Sequence, residues 1–189
     1  GLNLHTLELE TVSLARILTG GDKTVTLIVD MGARSTAVLI AADGALMHSS
    51  QADFASTSLT GALSKGLGIN TNRAEELKKQ KGLMGVGGEY EVSTLMLPYL
   101  DVILSEAKRA KENFEQSRQR NVERIILSGG GANLLGIEKH VSEYFNLPTI
   151  KAEPFGGKIS YPSSFAPLAK EVGPSLSVAL GLGAKEFLD

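Results

Sequence analysis

The sequence contains no cysteine, and this absence excludes disulfide bonds, zinc–thiolate sites, iron–sulfur clusters and thiol catalysis. Tryptophan is absent as well. Neither sign of charge dominates, because 19 Lys and Arg stand against 21 Asp and Glu and give a formal net charge of −2. This balance argues against nucleic acid as a main partner, which would favour a basic excess. No run of about 18 consecutive apolar residues occurs, so the sequence predicts no membrane-spanning helix.

The composition is otherwise that of an ordinary globular protein, with 42% hydrophobic and 21% charged residues over 189 positions. A chain of this length buries about 70% of its unfolded surface and needs no metal or disulfide to fold. Length alone predicts one large domain or two small lobes. The first residue is Gly1 rather than Met, and helical periodicity begins almost at once. We therefore expect the sequence to start inside a longer gene.

The hydrophobic pattern alternates between strand-like and helix-like segments. Apolar, β-branched runs predict strands at 24–30, 35–41, 45–51, 123–129 and 147–152, with a tight turn at 42–44. Apolar positions three or four residues apart predict helices at 5–18, 56–68, 72–80, 94–119, 136–145 and 174–187. Asn70 or Thr71 is expected to cap the third helix. Pro98 is expected in the first turn of the fourth helix and Pro174 at the start of the last. This order predicts a mixed α/β domain with helices on the sheet faces.

The first of two turns suited to a phosphate follows the strand at 24–30. Asp30 ends that strand and can hold a metal-bound water, and Gly32 lets backbone N–H groups face an anion. The hydroxyls of Ser35 and Thr36 are candidate donors. Arg34 either offsets phosphate charge or is a solvent-facing turn residue. The alternative for the whole stretch is a plain β-hairpin with Asp and Gly in its turn.

The second turn, LSGGGANLLG (127–136), joins the strand at 123–129 to a helix. Three glycines in a row either satisfy backbone angles that only glycine adopts or let a ligand approach the backbone. In the second case the glycines form a floor for a nucleoside, Asn133 contacts it, and a helix N-terminus near Leu135 adds free N–H groups. The stretch lacks the spacing of the dinucleotide fingerprint and the GK[ST] of a P-loop. The alternative is a tight strand-to-helix turn.

A third stretch, AEELKK (74–79), would alone be explained best as a solvated helix face. Together, however, VDMGARSTAVLI resembles the second phosphate loop of the actin-like ATPase superfamily, LSGGGANLLG resembles its adenosine loop, and AEELKK is similar to its E-x-x-K element. The resemblance implies a ribonuclease H-like lobe, with a mixed sheet, helices on both faces and a small inserted subdomain. The nucleotide-binding residues that it implies are Asp30, Gly32, Ala33, Arg34, Ser35, Thr36, Glu75, Lys78, Gly129, Gly130, Gly131 and Asn133.

Within that superfamily the sequence is most similar to the type IV pilus assembly family PilM, and next to the cell-division family FtsA. The stretches that carry this similarity are LELETVSLARIL, IVDMGARSTAVLI with LSKGLGINTNRAEELKKQKG, ILSEAKRAKENFEQ and PSLSVALGLGAKEF. The resemblance divides the chain into three parts. Residues 1–22 connect to a missing first lobe, 23–56 and 120–189 form the core subdomain, and 57–119 form the inserted subdomain with the long helix.

The resemblance implies the ATP-binding half of a PilM-like scaffold protein, cytoplasmic and peripheral to the bacterial inner membrane through its partners. The longer protein would bind ATP with Mg²⁺, the ion reaching Asp30 through water. It would also contact its own first lobe and the tail of a PilN-like membrane protein. Because the first lobe supplies the other phosphate loop, losing even two charge-assisted hydrogen bonds removes roughly 3 kcal/mol. We therefore expect weak or absent ATP binding by this chain alone.

Three alternatives stay open at this point: an FtsA-like division protein, a sugar or acid kinase of the same superfamily, and an interaction domain without a ligand. No catalytic residue can be assigned, so the longer protein is expected to be at most a weak ATPase and this chain alone is not expected to be catalytic. His5, His48 and His140 form no pair with the spacing of metal ligands. The first and last helices are expected to expose apolar faces and to drive self-association.

The nucleotide interpretation has one spatial requirement. The hairpin that carries Asp30 and the triple-glycine turn must lie side by side at one edge of the same sheet.

Overall fold

The protein is described by a computed structural model over residues 4, 6–84, 90–156 and 159–188. His5 lies outside these ranges. The strands are β1 (Thr26–Met31), β2 (Thr36–Ala42), β3 (Ala45–Ala52), β4 (Arg124–Ser128) and β5 (Thr149–Lys151). The helices are α1 (Glu10–Thr19), α2 (Ser56–Leu67), α3 (Thr71–Lys81), α4 (Tyr90–Arg118), α5 (Ile137–Phe145), α6 (Ala166–Gly183) and α7 (Lys185–Leu188). Two 3₁₀ turns span Gly130–Asn133 and Ser163–Phe165.

The strands form one five-stranded sheet in the order β3-β2-β1-β4-β5. β1, β2 and β3 are antiparallel neighbours, whereas β4 runs parallel to both β1 and β5. Asp30 at the end of β1 is in register with Ser128 at the end of β4. Because parallel strands end at the same edge of a sheet, the turns that follow these two residues lie next to each other, as the nucleotide interpretation requires.

The β2–β3 connection shows how local sequence fixes the hairpin. Asp43 and Gly44 have φ values of 55° and 74°. Two successive residues with positive φ are typical of a type I′ turn, whose twist matches that of the flanking strands. The tight turn predicted at 42–44 is confirmed.

Helices cover both faces of the sheet, and each face has its own apolar cluster. On one face, β1 and β2 side chains pack with fully buried residues of α2 and α4, among them Leu59, Leu63, Met96, Leu100 and Ile103. On the other face, Ile28, Leu39 and Ile126 pack against Leu14 and Ala15 of α1. This two-layer burial explains why β2 is buried along its whole length, as expected for a central strand.

α1 and α6 cross with their backbones in close contact. A Cβ added to Gly181 would lie 2.8 Å from the carbonyl carbon of Ser13, so only glycine allows this crossing. The Arg16 guanidinium donates to the Gly181 carbonyl at 3.2 Å and forms an ion pair with Glu8. Glu8 also accepts a hydrogen bond from the Ser13 hydroxyl at 2.9 Å. The hydrogen bond from Arg16 is the main reason why the pKa of Glu8 is lowered to about 2.

Three helices begin four or more residues away from the predicted start. α1 begins at Glu10 rather than at residue 5, because Leu7 and Leu9 are exposed in a segment without regular secondary structure and do not pack against the core. α4 begins at Tyr90, so Pro98 lies inside the helix and not in its first turn. α6 begins at Ala166, which places Pro167 in its first turn and Pro174 in its interior. None of the helices within the described ranges is long and apolar enough to cross a membrane.

Candidate functional site

A cavity of about 990 Å³ opens beside the triple-glycine turn. Its lining includes Glu75, Lys78 and Lys79 of α3, Gly130, Gly131 and Asn133 of the 3₁₀ turn, and Lys170, Glu171 and Ser175 of α6, with Lys151 at the end of β5. Four lysines and two glutamates among these residues leave an excess of positive charge. A cavity of this size and charge suits a small anionic ligand.

The triple-glycine turn (129–131) packs so closely against Met31, next to the Asp30 turn, that two of its positions must be glycine. A Cβ on Gly129, where φ is +76°, would lie 2.6 Å from the carbonyl carbon of Met31. A Cβ on Gly131 would lie 2.5 Å from the Met31 Cγ. Gly130 has open space, because its Cβ would meet only the Ser175 hydroxyl at 3.7 Å. Gly129 and Gly131 therefore let the two turns touch, and Gly130 faces the cavity.

The structure corrects the expected helix start after the glycines. Gly130–Asn133 form a 3₁₀ turn, and α5 begins at Ile137 rather than near Leu135. Asn133 is fixed by a hydrogen bond from its Nδ2 to the carbonyl of Glu171 at 2.9 Å. The N–H of Gly129 donates to the carbonyl of Pro174 at 2.9 Å. These two bonds attach the glycine turn to α6.

The first turn is closed within itself. The N–H of Gly32 donates to the Ser35 carbonyl at 3.1 Å, and a Cβ on Gly32 would lie 2.9 Å from that oxygen. The Thr36 side chain is buried in β2 and its hydroxyl donates to the Phe54 carbonyl at 2.8 Å. Ala33 and Arg34 are exposed at the tip of the turn. The turn adjoins the cavity through Met31 but does not form its wall.

Asp30 has an unusual electrostatic environment. Burial raises the pKa of its carboxyl, and the negative charge of Glu10 at the start of α1 adds to this effect. A hydrogen bond from the Ser128 hydroxyl acts in the opposite direction. That hydroxyl also lies 3.2 Å from the Pro174 carbonyl, and its one hydrogen can serve a single acceptor at a time. Sequence analysis did not single out Glu10, since nothing in the pattern links it to Asp30.

The Glu75–Lys78 pair meets at the cavity wall, with 2.8 Å between Nζ and Oε2. Burial acts to raise the pKa of Glu75, but hydrogen bonds from Lys78 and Thr60 outweigh it and the pKa is lowered. Lys79, which is exposed, lies 3.7 Å from the other carboxylate oxygen. Glu75 is therefore an anion held between two cations.

Lys151 and Lys170 are cavity residues that sequence analysis missed. Lys151 lies at the end of β5. Lys170 lies in the first half of α6, a segment that the sequence predicted to be a loop. Of the histidines, His140 Nε2 lies 3.9 Å from the Asp101 carboxylate and has no hydrogen-bond partner. Within the described ranges no group of three His, Cys, Asp or Glu side chains is arranged to hold a metal ion.

Solved structures with the same fold are actin-like proteins. MreB5 of Spiroplasma citri bound to ADP aligns with a TM-score of 0.74 and 19% identity, over 98% of this chain and 61% of that one. The ethanolamine utilization protein EutJ from Carboxydothermus hydrogenoformans aligns with a TM-score of 0.60 and 21% identity, over 91% of this chain and 52% of that one. The fold is that of an actin-like ATPase, as the resemblance of the turns predicted.

The family can be stated more closely. The model of the family "Type IV pilus assembly protein PilM" matches residues 2–187, and the chain belongs to this family. A structure described as a PilM-PilN type IV pilus biogenesis complex aligns with a TM-score of 0.79 and 22% identity, over 95% of this chain and 52% of that one. The chain thus spans about half the length of the solved structures that it resembles.

Proposed function

We propose that this chain is the nucleotide-binding half of a PilM-like scaffold protein of type IV pilus assembly, with ATP as its ligand. One observation carries the proposal: a single cavity joins Glu75 and Lys78 of the E-x-x-K element to Gly130 and Gly131. The Asp30 turn touches the same glycines through Met31. Two stretches that are far apart in the sequence therefore meet at one positively charged opening, and the third contacts the glycines that line it.

Mg²⁺ fits the donor set only as an ion held through water. Asp30 is the one carboxylate at the turn that joins β1 to β2 (residues 30–36), called the phosphate turn from here on. Mg²⁺ commonly keeps several waters while binding one or two carboxylates. The raised pKa of Asp30 shows that its negative charge is poorly compensated by protein groups, with Glu10 adding repulsion. A bound divalent ion would supply the missing compensation. Asp30 would orient its water shell, and Lys151 and Lys170, the two cavity lysines that do not pair with Glu75, would neutralise the phosphates.

The rest of the nucleotide cleft belongs, in this proposal, to a first lobe of the longer protein. Residues 1–22 connect to that lobe, 23–56 and 120–189 are the core subdomain, and 57–119 are the inserted one. The longer protein binds the tail of a PilN-like membrane protein and is held in this way at the cytoplasmic face of the inner membrane. The structural similarity to a solved PilM-PilN complex supports this partner class.

Nucleotide titration of the chain itself tests the proposal. Because half the cleft makes half the phosphate contacts, we expect Mg-ADP and Mg-ATP to bind weakly, with affinities that calorimetry does not resolve at micromolar protein. Backbone NMR shifts at millimolar nucleotide should change at Glu75, Gly130 and Gly131. Micromolar affinity would refute the expected weakness, and unchanged shifts at these residues would refute the nucleotide site.

A glycine substitution separates binding from folding. Gly130→Leu places a side chain in the cavity at a position with open space, so we expect loss of the nucleotide-induced shifts with little change in melting temperature. Gly183→Leu is the matched control, because its Cβ meets no atom within 4 Å and the residue does not line the cavity. Retained shifts in Gly130→Leu would place the nucleotide elsewhere.

A further inference from the structure

Lys78 is a buried cation whose hydrogen bonds lead to α2. Its side chain is 7% exposed. The ammonium donates to the carbonyl oxygen of Ser56 at 3.1 Å, to the Ser56 hydroxyl at 2.7 Å and to the Thr60 hydroxyl at 2.9 Å. Thr60 in turn donates to Glu75 at 2.6 Å. Since an ammonium carries three hydrogens, these partners and Glu75 use its whole donor capacity.

The N-terminal residues of α2 form hydrogen bonds to the phosphate turn. The N–H of Ser56 donates to the Gly32 carbonyl at 3.1 Å. The N–H and the hydroxyl of Thr57 both donate to the Ala33 carbonyl, at 3.0 and 2.6 Å. N–H groups in the first turn of a helix have no partner inside the helix, and here they bind two carbonyls of the phosphate turn. Ser56 therefore contacts the phosphate turn on one side and Lys78 on the other.

This arrangement links the two ends of the site energetically. A buried charge that loses a partner is strongly destabilised, so Lys78 holds Ser56 in place as firmly as Ser56 holds Lys78. Glu75, by contrast, is 36% exposed and faces the cavity. A ligand group that engages Glu75 changes the pairing of Lys78. The change then reaches Gly32 through a single residue, Ser56.

We propose that Lys78 is a positioning residue that couples the nucleoside end of the cavity to the phosphate turn through Ser56, a role that rests on the proposed nucleotide function. Lys78 keeps residues 32–35 in the geometry that receives phosphates, and its own hydrogens stay within the protein. If Lys78 contacted the nucleoside directly, its substitution would weaken the binding of all adenine ligands equally. If Lys78 acts through the phosphate turn, its substitution weakens binding more as the number of phosphates on the ligand rises.

Hydrogen exchange of the ligand-free chain tests the coupling without any nucleotide. In Lys78→Met we expect the amides of Ser56 and Thr57 to exchange about tenfold faster or more, because a charge-assisted hydrogen bond to this turn is lost. Lys79→Met is the matched control: it is the next residue of α3, is exposed and also approaches Glu75, and it should leave both amides unchanged. Equal exchange in the two variants would overturn the proposal.

Ser56→Ala covers the case in which Lys78→Met does not fold, since it removes one acceptor and keeps the backbone bond to Gly32. The same two amides should exchange faster than in the unsubstituted chain, and unchanged rates would overturn the coupling.

Affinity for ligands of increasing phosphate number gives the second readout. NMR titrations with adenosine, ADP and ATP should show that Lys78→Met loses more affinity for ATP and ADP than for adenosine, whereas Lys139→Met, at an exposed lysine that does not line the cavity, shows no such gradient. Equal losses for all three ligands would overturn the positioning role. If the unsubstituted chain binds none of them, the proposed nucleotide function fails, and the exchange experiment still decides whether Lys78 controls the turn.

Discussion

At the scale of single residues, Asp30 opposes the stability of the fold that carries it. Its folded-state pKa is raised by burial and by the charge of Glu10. The stability linked to such a carboxyl is fully present below its unfolded pKa and is lost as the pH rises through the folded pKa. When its carboxyl is ionised, Asp30 therefore destabilises the native state.

Asp30→Asn should stabilise the ligand-free chain by about 1 kcal/mol at pH 7, because it removes a poorly compensated buried charge. The advantage should shrink as the pH is lowered through the raised folded-state pKa, because the carboxyl of the unsubstituted chain then takes up a proton. Urea denaturation across this pH range measures both effects. The exposed Asp53→Asn is the control and should show neither. A loss of stability in Asp30→Asn at pH 7 would contradict the electrostatic argument.

Gly129→Ala should destabilise the chain by about 2 kcal/mol or more, because the position combines a positive φ with a backbone contact to Met31. Thermal or urea denaturation measures the change. Gly61→Ala is a matched control within α2: its Cβ meets no atom within 4 Å, and alanine in a helix interior should stabilise by up to about 1 kcal/mol. Similar effects of the two substitutions would mean that the turns do not touch.

At the scale of elements, strands were more predictable than helix starts. β1, β2 and β4 differ from prediction by one or two residues, because continuous apolar runs between turn residues leave little freedom. Helix starts depend on tertiary contacts. Leu7 continues the periodicity of α1 without packing against the core, and Pro174 is an acceptable first-turn residue that instead lies within α6. There its carbonyl accepts the N–H of Gly129, a contact that sequence spacing cannot reveal.

The cap of α3 gives an element-scale prediction, because the sequence left Asn70 and Thr71 as alternatives. The structure shows the Asn70 side chain accepting from the N–H of Arg73 at 2.9 Å. Asn70→Ala should therefore cost about 1 kcal/mol, and Thr71→Ala only a few tenths, in the free energy of unfolding. Chemical denaturation of both variants measures the difference. A larger effect at Thr71 would mean that Thr71, and not Asn70, caps α3.

The sequence motifs of the candidate site could be predicted, but the other residues that line its cavity could not. The two turns and the Glu75–Lys78 pair could be found because each has a local pattern. Lys151 and Lys170 could not, since they approach the cavity from a short edge strand and from a helix that periodicity did not show. The internal role of Lys78 was equally hidden, because it depends on which way α2 faces.

At the scale of the whole molecule, the α1–α6 side combines a packed interior with exposed apolar residues. Leu14 and Ile17 of α1 are buried, but Leu7 and Phe187 are each 85% exposed. The hydrogen bond from Lys185 to Thr6, at 3.1 Å, places the segment before α1 beside α7. The apolar surface expected from the sequence is thus contributed by the segment before α1 and by Phe187, together with the exposed Leu168, Leu176 and Leu182 of α6.

Self-association through this surface is the expected outcome at micromolar concentration. The double variant Leu7→Ser, Phe187→Ser should shift the mass measured by light scattering towards the monomer. Leu135→Ser, at an exposed leucine beside Gly82, is the control and should leave the mass unchanged. A monomer mass for the unsubstituted chain over the whole concentration range would contradict the predicted self-association.

The parallel pairing of β1 with β4 has a consequence for biosynthesis. β4 begins roughly 90 residues after β1 ends, so at a ribosomal rate of about 5–20 residues per second the inner edge of β1 waits roughly 5–20 seconds for its neighbour. Until then only the hairpin side of the sheet can form, and the glycine turn does not yet exist. On the proposed function, a nucleotide would stabilise only the last stage of this assembly and not the first. The unpaired edge of β1 would most need protection by a chaperone in the interval before β4 is made.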